Sequence, residues 1–289
     1  TLTLTSDSLI INDNIAGDDL VINGTLINIG SIIKMNTGAT VKFNSGGLYQ
    51  HNRNGGAIIP ATWDVNSTCE LTGLTSLVPS GLGQVFGNFT VNSTSMNTNL
   101  NLTGSLTTVN GNFWIQNTGT TSIRMIANSP STSVLDVGKD LIINDDFNMS
   151  SGSASVTINV KGNVIATMAI DESGTGTDNK IVMNGLTSQT IDAPSGFTND
   201  VSLVIDNAAG VQLVNNTLSK RLTLTNGLLS LGGYNFTMTI NYVLTGGSQS
   251  SHIVTNSSGR LILNTNASGV AYTFPVGNTT NVQPAVITF

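Results

Sequence analysis

Apolar and polar residues alternate along almost the whole chain, in short runs that end at Gly, Asn, Asp or Ser. Examples are "LVINGTLINIG", "DLIINDD", "SVTINV" and "GRLILN". Alternation with a period of two, β-branched residues within the runs and turn residues between them are typical of half-buried strands. No segment of helical length carries apolar residues at three-and-four spacing. The sequence therefore predicts an all-β protein.

A repeating unit consists of a Gly, alone or with one further residue, followed by an apolar–polar–apolar run. It begins at Gly87, Gly111, Gly138 and Gly162, and the related "NGLTSQTI" adds Gly185, so the steps are 24, 27, 24 and 23 residues. A nearly constant step of this length is too long for one hairpin and too even for the loops of a sandwich. We predict a right-handed parallel β-helix, a β-solenoid with about three short strands per rung of roughly 23–27 residues.

Stacked rungs would pair each strand with its equivalents above and below in parallel register. One inward column is then Phe89, Phe113, Leu141 and Val164. The residues that follow them face outward: Thr90, Trp114, Ile142 and Ile165. A single rung buries only alternate residues, whereas stacked rungs share a core worth roughly 25 cal/mol per Å² of apolar area removed from water. Other outward positions are mostly Thr and Asn, which can form ladders between strands.

The regularity of the repeat divides the chain into three parts. Residues 1–80 are expected to form irregular N-terminal rungs with an inserted loop at 47–73. Residues 81–200 hold the regular rungs, and residues 201–289 form C-terminal rungs or an edge region, with a small second β-domain as the alternative. The opening at Thr1 and the strand-like end "AVITF" suggest a piece of a longer polypeptide that continues beyond residue 289.

The composition excludes several classes of function. Only 9% of residues are charged, the formal net charge is −6, and the ten basic residues are scattered rather than clustered, so nucleic acid is not expected as a partner. No run approaches the ~20 apolar residues of a membrane-spanning helix, so direct membrane insertion is not expected. The single cysteine cannot form an internal disulfide. Low charge with abundant Asn, Thr and Gly favours an extracellular location.

One segment, "GLYQHNRNGGAIIPATWDVNSTCELTG" at residues 47–73, collects residue types that are rare elsewhere in the chain. It contains candidate ligand-binding residues, to which the outward-facing Trp114 is added because an exposed Trp could stack on a sugar. These candidates are His51, Arg53, Trp63, Asp64 and Trp114. A structural cap or covering loop is the favoured interpretation of the segment, ahead of a binding site, and catalysis would need a geometry that spacing cannot establish.

Carboxylates occur as neighbouring pairs at Asp18–Asp19, Asp145–Asp146 and Asp171–Glu172. A glycosidase needs two facing carboxylates, but adjacent residues on a strand point to opposite faces. Calcium binding at "DESGTGTDN" (171–179) is disfavoured, because the spacing matches no loop with a defined ligand order. We therefore assign no catalytic, cofactor-binding or metal-binding residue, and we expect neither a cofactor nor an enzyme.

Several segments resemble the large secreted, repeat-bearing surface proteins of Bacteroidota. They are "YQHNRNGGAIIPATWDVNSTCELTG", "VPSGLGQVFGNFTVN", "ESGTGTDNKIVMNGLTSQTI", "RLTLTNGLLSLGGYNFTM" and "IVTNSSGRL". The resemblance implies a parallel β-helix within an adhesin-like polypeptide that is exported by type IX secretion to the outer cell surface. It also implies O-glycosylation of Ser8, since "DSL" is similar to the Asp-Ser/Thr-apolar acceptor pattern of that phylum.

The first functional hypothesis is a non-catalytic, extracellular structural or adhesive module of a larger bacterial cell-surface protein. Its expected partners are surface glycans, other cell-surface proteins and the remainder of its own polypeptide. The alternative is a carbohydrate-active β-helix, acting as a polysaccharide-binding module, lyase or hydrolase. A third and less favoured hypothesis is an ice-binding Thr ladder.

Overall fold

The structure, a computed structural model, describes residues 1–6, 8–13, 16–127, 131–176, 178–265 and 269–288. Within these ranges the regular secondary structure is entirely β. There is accordingly no helix in them that could cross a lipid bilayer. Strands on successive turns pair in parallel, and the turns stack into a β-solenoid of about 12 turns. The predicted all-β parallel solenoid is confirmed.

The first face of the solenoid is a 13-stranded parallel sheet with one strand from each turn. Its strands are stacked in the order of the sequence, so each one pairs with the equivalent strand of the turn before and the turn after. They are Leu2–Leu4, Thr25–Asn28, Leu48–His51, Thr68–Leu71, Asn88–Asn92, Phe113–Asn117, Leu141–Ile143, Val164–Ala166, Gln189–Asp192, Val211–Leu213, Leu229–Ser230, Ile253–Val254 and Val276–Gly277.

Two further faces complete each turn. The second face contains Leu9–Ile11, Ile33–Met35, Leu100–Asn101, Ile123–Ile126, Phe147–Ser150, Ile170–Asp171 and Leu261–Leu263. The third face contains Leu20–Ile22, Val41–Phe43, Thr62–Trp63, Val85–Phe86, Thr108–Val109, Thr132–Val137, Ser155–Val160 and Asn179–Met183. Three long strands belong to both faces, because their first residues pair on the second and their last residues on the third: Phe197–Asp206, Thr217–Asn226 and Phe236–Gly246.

The inward column of the first face has the predicted register. Phe113 pairs with Phe89 on the turn before and with Leu141 on the turn after, and Leu141 pairs with Val164. All four side chains are completely buried. The same column also contains Leu26, Tyr49, Cys69, Ile191 and Leu213. One line of buried side chains therefore crosses most of the turns.

The outward column is also in the predicted register. Trp114 pairs with Thr90 on the turn before and with Ile142 on the turn after, and Ile142 pairs with Ile165. Trp114 and the two isoleucines are half-buried, whereas Thr90 is only 6% exposed. Thr90 is the most shielded of the four because longer side chains stand on both sides of it.

Aromatic rings fill the core of the early turns. The indole of Trp63 stacks on the ring of Phe43, with centroids 4.3 Å apart and planes within 4°. On its other side Trp63 packs against Phe86 at 5.3 Å, and Phe86 packs edge-on against Phe89 at 5.0 Å. Such pairs contribute about 0.5–1.5 kcal/mol each beyond the area they bury. They join the third face to the first across the interior.

Residues 47–73, expected to form an inserted loop, are a regular part of the solenoid. Leu48–His51 and Thr68–Leu71 are neighbours on the first face, and Thr62–Trp63 lies on the third. The register of Tyr49 with Cys69 makes this a short turn of 20 residues. The inserted-loop prediction is therefore wrong, because the rare residue types of this segment occupy core and corner positions of an ordinary turn.

The C-terminal part, residues 201–289, continues the same stack through Val276–Gly277. The pairing changes only near the end, where Ala271–Phe274 forms an antiparallel two-stranded sheet with Ala285–Thr288. The region therefore combines solenoid turns with one hairpin-like pair of strands, and the stacked turns leave no boundary for a separate domain within 201–265.

A line of side-chain hydrogen bonds, the corner ladder, runs beside the first-face strands. The Asn88 Oδ1 atom accepts the backbone N–H of Asn112 at 2.8 Å, and Asn112 Oδ1 accepts that of Asp140 at 3.1 Å. Asp140 Oδ1 accepts the N–H of Asn163 at 2.7 Å, and Asn163 Oδ1 accepts that of Thr190 at 2.8 Å. Each carboxamide or carboxylate thus satisfies a backbone donor of the next turn, where the chain enters its strand.

Replacing Asn163 with Ala should destabilise the protein by about 1–2 kcal/mol, because the N–H and hydroxyl of Thr190 both lose their acceptor. The matched control is Asn159→Ala, which removes an exposed side-chain bond to Asp136 Oδ1 and should change the stability by less than about 0.5 kcal/mol. Urea unfolding of the three proteins measures the difference. Equal midpoints for the two variants would show that the corner ladder does not stabilise the stack.

The thiol of Cys69, the only cysteine, lies in the inward column and is completely buried. Burial raises its pKa well above the usual range, and only the thiolate is a good nucleophile. We expect Cys69 not to react with a chromogenic disulfide reagent in native buffer. After denaturation it should release one equivalent of the coloured thiolate. Rapid reaction of the native protein would contradict the position of Cys69 in the core.

Candidate functional site

His51 lies inside the solenoid with no exposed surface. Its Nε2 atom is 2.7 Å from the carbonyl oxygen of Gly55, and its Nδ1 atom is 3.2 Å from the Tyr49 hydroxyl. Since a carbonyl oxygen can only accept, Nε2 of the neutral ring donates to Gly55 and Nδ1 accepts from Tyr49. Burial lowers the pKa of His51, and the nearby Arg53 cation lowers it further, against the opposing effect of the bond to Gly55. His51 is thus a neutral internal hydrogen-bonding group.

Trp63 and Asp64 also have structural partners. Trp63 is 6% exposed, and its Nε1 atom donates to Gln84 Oε1 at 3.2 Å. The Oδ1 atom of Asp64 accepts the backbone N–H of Asn66 at 2.8 Å, and its carbonyl oxygen accepts the hydroxyl of Ser67 at 2.7 Å. Asp64 therefore stabilises the corner that leads into the next first-face strand.

Arg53 lines a crevice at the surface. Its Nη1 atom donates to the carbonyl oxygen of Ser31 at 2.9 Å, and the rest of the guanidinium packs against Gly56. The crevice beside it has a volume of about 280 Å³. Its walls are Ser31, Ile32, Ile33, Arg53, Gly56, Ala57, Ile58, Ile59 and Pro60. The structure therefore does not bring these four candidates together in one site. His51 and Trp63 point inward, Asp64 stabilises a corner, and Arg53 lies at the surface.

Trp114, the fifth candidate, lines a groove of about 310 Å³ on the outer side of the first face. The groove crosses three turns, because Thr90 pairs with both Glu70 and Trp114. Its walls carry amide, hydroxyl and carboxylate groups and one indole, with no basic side chain among them. We call this depression the Trp114 groove, and it is lined by Thr68, Glu70, Asn88, Thr90, Asn112, Trp114 and Gln116.

The shape of the Trp114 groove follows from side-chain lengths in the outward column. Thr90 is short and almost buried, while Glu70 and Trp114 on the adjacent turns are long. The indole Nε1 donates to Asn144 Oδ1 on the following turn at 2.6 Å. This bond anchors the indole to the following turn, and the residue lines the groove.

A β-bulge positions the last wall of the groove. Val91 pairs with Ile115, but the next pair is Asn92 with Asn117, so Gln116 is an extra residue without a partner on the turn before. Bulges redirect a side chain locally and are frequent beside functional sites. No hydrogen bond of the Gln116 side chain occurs among the described residues, so its amide remains able to donate and to accept.

Glu70 supplies the only charge in the groove, and both its oxygens are already engaged. Gln50 Nε2 donates to Oε2 at 2.8 Å, and Asn92 Nδ2 donates to Oε1 at 2.9 Å. These two amides come from the turns before and after, so they fix the carboxylate in position. Each carboxylate oxygen retains a second lone pair that can accept a further hydrogen bond.

The paired carboxylates of the sequence act at corners. Asp145 Oδ2 accepts the backbone N–H of Thr118 at 2.7 Å, and Asp19 Oδ2 accepts that of Thr40 at 2.9 Å. Asp18 lies 3.8 Å from the ammonium group of Lys42. All of these contacts join one turn to another, so they contribute to stacking.

The turn at 171–179, of which residue 177 lies outside the described ranges, combines a local hydrogen bond with one to the following turn. Glu172 Oε2 accepts the N–H of Gly174 at 2.7 Å, and Asp171 Oδ1 accepts from the hydroxyl of Thr198 at 2.8 Å. Burial raises the pKa of the Glu172 carboxyl, which is only 2% exposed. Among the described residues no group of three His, Cys, Asp or Glu side chains is arranged to hold a metal ion.

Two other sequence expectations concern surface chemistry. Ser8 is exposed, while Asp7 of the same "DSL" triplet lies outside the described residues. Threonines do stack on adjacent turns at Thr223 and Thr245, whose hydroxyls are 3.0 Å apart. The longer ladder on the first face consists of Asn and Asp side chains.

Comparison of the chain with protein-family models, with curated proteins and with solved structures gave no match.

Sequence reasoning identified Trp114 but missed the residues around it. A signal for the bulge exists, because "NFTVN" at 88–92 and "NFWIQN" at 112–117 are the same strand with one residue added. Glu70 could have been found by aligning "TCEL" with "NFTV", which places Cys69 beneath Phe89. The repeat that the glycine positions define starts at Gly87, which is one turn after the strand that contains Glu70.

The buried neutral His51 should make the protein less stable in mild acid. A histidine whose folded-state pKa is lowered contributes stability above its unfolded value of about 6.5, and this is lost as the pH falls towards the folded value. The loss of unfolding free energy between about pH 7 and about pH 5 should be smaller in His51→Gln. Gln50→Ala, in the same strand but facing outward, should retain the loss. Identical pH profiles for the wild type and His51→Gln would contradict the assignment.

Proposed function

We propose that this chain is a non-catalytic, extracellular structural and adhesive β-solenoid module of a larger bacterial cell-surface protein. The observation that carries the proposal is that the ionisable and amide side chains form structural hydrogen bonds within the solenoid. The carboxylates of Asp19, Asp145 and Asp171 and the corner ladder bond one turn to another. The buried His51 is hydrogen-bonded within its own turn. Side chains committed to stacking favour a mechanical role.

The dimensions of the stack suit a spacer. About 12 turns at the spacing of paired strands, ~4.8 Å, give a rod roughly 55–60 Å long. Each turn is hydrogen-bonded to the next along the first face and shares its core, so bending the rod would break contacts on one side of it. Such a rod could hold a neighbouring part of the polypeptide away from the cell surface.

The location is supported by composition and by resemblance. A surface with few charges and abundant Asn and Thr is typical of secreted repeat proteins. The likeness of segments such as "ESGTGTDNKIVMNGLTSQTI" to surface proteins of Bacteroidota supports export by type IX secretion. Glycans or proteins of a neighbouring surface are the partners that an adhesive module would bind.

A second candidate, a carbohydrate-active β-helix, is favoured by the Trp114 groove. Within that candidate the geometry supports binding over hydrolysis. Hydrolysis uses two carboxyl groups on opposite sides of the scissile bond, whereas Glu70 is the one carboxylate among the groove residues. Its two oxygens are held by Gln50 and Asn92.

The experiment combines binding and turnover on the same samples. The protein is incubated with a panel of bacterial, plant and algal polysaccharides, and retention, reducing ends and unsaturated products are measured. We expect no product above the rate of a denatured control, with retention confined to particular polysaccharides or surface proteins. Product formation that disappears in Glu70→Gln or Glu172→Gln would overturn the non-catalytic function.

A further inference from the structure

We propose that the Trp114 groove is a binding subsite for one pyranose unit of a neutral glycan. The inference rests on the proposed adhesive function and names its ligand class and location. Three features of the groove support it: a floor made by a short side chain, an aromatic wall, and free hydrogen-bonding groups beside them.

The floor is set by Thr90. Its neighbours along the axis, Glu70 and Trp114, extend beyond it and form the two ends of the depression. Adjacent turns lie ~4.8 Å apart, which is close to the length of one pyranose unit in an extended glycan. The space over Thr90, between Glu70 and Trp114, is therefore suited to one sugar ring.

Trp114 is the aromatic wall. The face of an indole is electron-rich and attracts the polarised C–H groups on the flat side of a pyranose. The bond from its Nε1 to Asn144 fixes the ring before any ligand binds, so little side-chain freedom would be lost on binding.

Gln116 and Glu70 match the hydroxyl groups of a sugar. The Gln116 amide, which lines the groove, offers a donor and an acceptor. The Glu70 carboxylate can accept from a sugar hydroxyl with its remaining lone pairs while Gln50 and Asn92 hold it. Hydroxyls both donate and accept, so this mixture of groups is complementary to them.

Charge decides between neutral and acidic glycans. The groove has one carboxylate and no basic residue, so a uronate or a sulfated sugar would be repelled and would find no cation to pair with. The net charge of −6 acts in the same direction. The ligand class is therefore a neutral hexose or pentose polymer.

A single shallow subsite predicts weak binding to short oligosaccharides and stronger retention by polymers, which present many equivalent units. The probes are soluble β-glucan, xylan, mannan and galactan, with alginate as the acidic comparison. Binding is followed by affinity electrophoresis and by the fluorescence of Trp114 in a Trp63→Phe background, since the chain has two tryptophans.

At least one neutral polymer should retard the protein and change the Trp114 fluorescence, while alginate should do neither. Trp114→Ala should weaken retention by about ten-fold or more, and Gln116→Ala by about three-fold. Thr90→Phe, which raises the floor of the groove, should abolish retention by the polymer. The control Ile165→Ala lies in the same column two turns beyond Trp114 and should bind as the wild type does.

Unfolding midpoints of all variants distinguish lost binding from lost folding, and Gln116→Ala is a surface change that should leave the midpoint unaltered. Retention that survives both Trp114→Ala and Thr90→Phe would overturn the subsite while leaving the adhesive function intact. Failure of every neutral polymer to bind would also overturn the subsite. Turnover of a polysaccharide would instead overturn the proposed non-catalytic function, whatever the groove binds.

Discussion

Parallel pairing between successive turns is the constraint on which the whole structure depends. Side chains alternate along a strand, so every turn must enter a face in the same phase as its neighbours or its apolar residues would point to solvent. This phase is the same on the three successive turns that place Phe89, Phe113 and Leu141 at paired inward positions. Corners absorb the differences in turn length, from 18 residues between Val211 and Leu229 to 28 between Phe113 and Leu141.

The same constraint explains where a site can form. Inward positions are fully committed to the core, and corner positions supply hydrogen bonds between turns. Only outward side chains vary without cost to the stack, so recognition has to come from differences in length along an outward column. Thr90 between Glu70 and Trp114 is such a difference, and the extra residue at Gln116 adds a group that the regular strand would not present.

The fold was predictable because period-two alternation and a nearly constant step are local properties of the sequence. The inward and outward columns followed from aligning the strands after Gly87, Gly111, Gly138 and Gly162. The rare residues of 47–73 were misleading: a His, a Trp and a Cys resemble a site by composition, yet His51, Trp63 and Cys69 are buried. Their positions depend on a short turn that the glycine pattern does not mark, and the groove depends on side chains from three turns that no single segment contains.

The corner ladder has a consequence for the chemical ageing of the protein. Asn residues in exposed proteins slowly lose ammonia and become Asp. In the corner ladder Asn112 and Asn163 contribute their oxygen as acceptor to the next turn, and at the position between them this acceptor is already the carboxylate oxygen of Asp140. Conversion of either Asn to Asp would preserve the interturn bond. The turns therefore stay joined where Asp is the product, whereas isoaspartate, which forms through the same cyclic imide, adds a methylene to the backbone and would displace the acceptor oxygen.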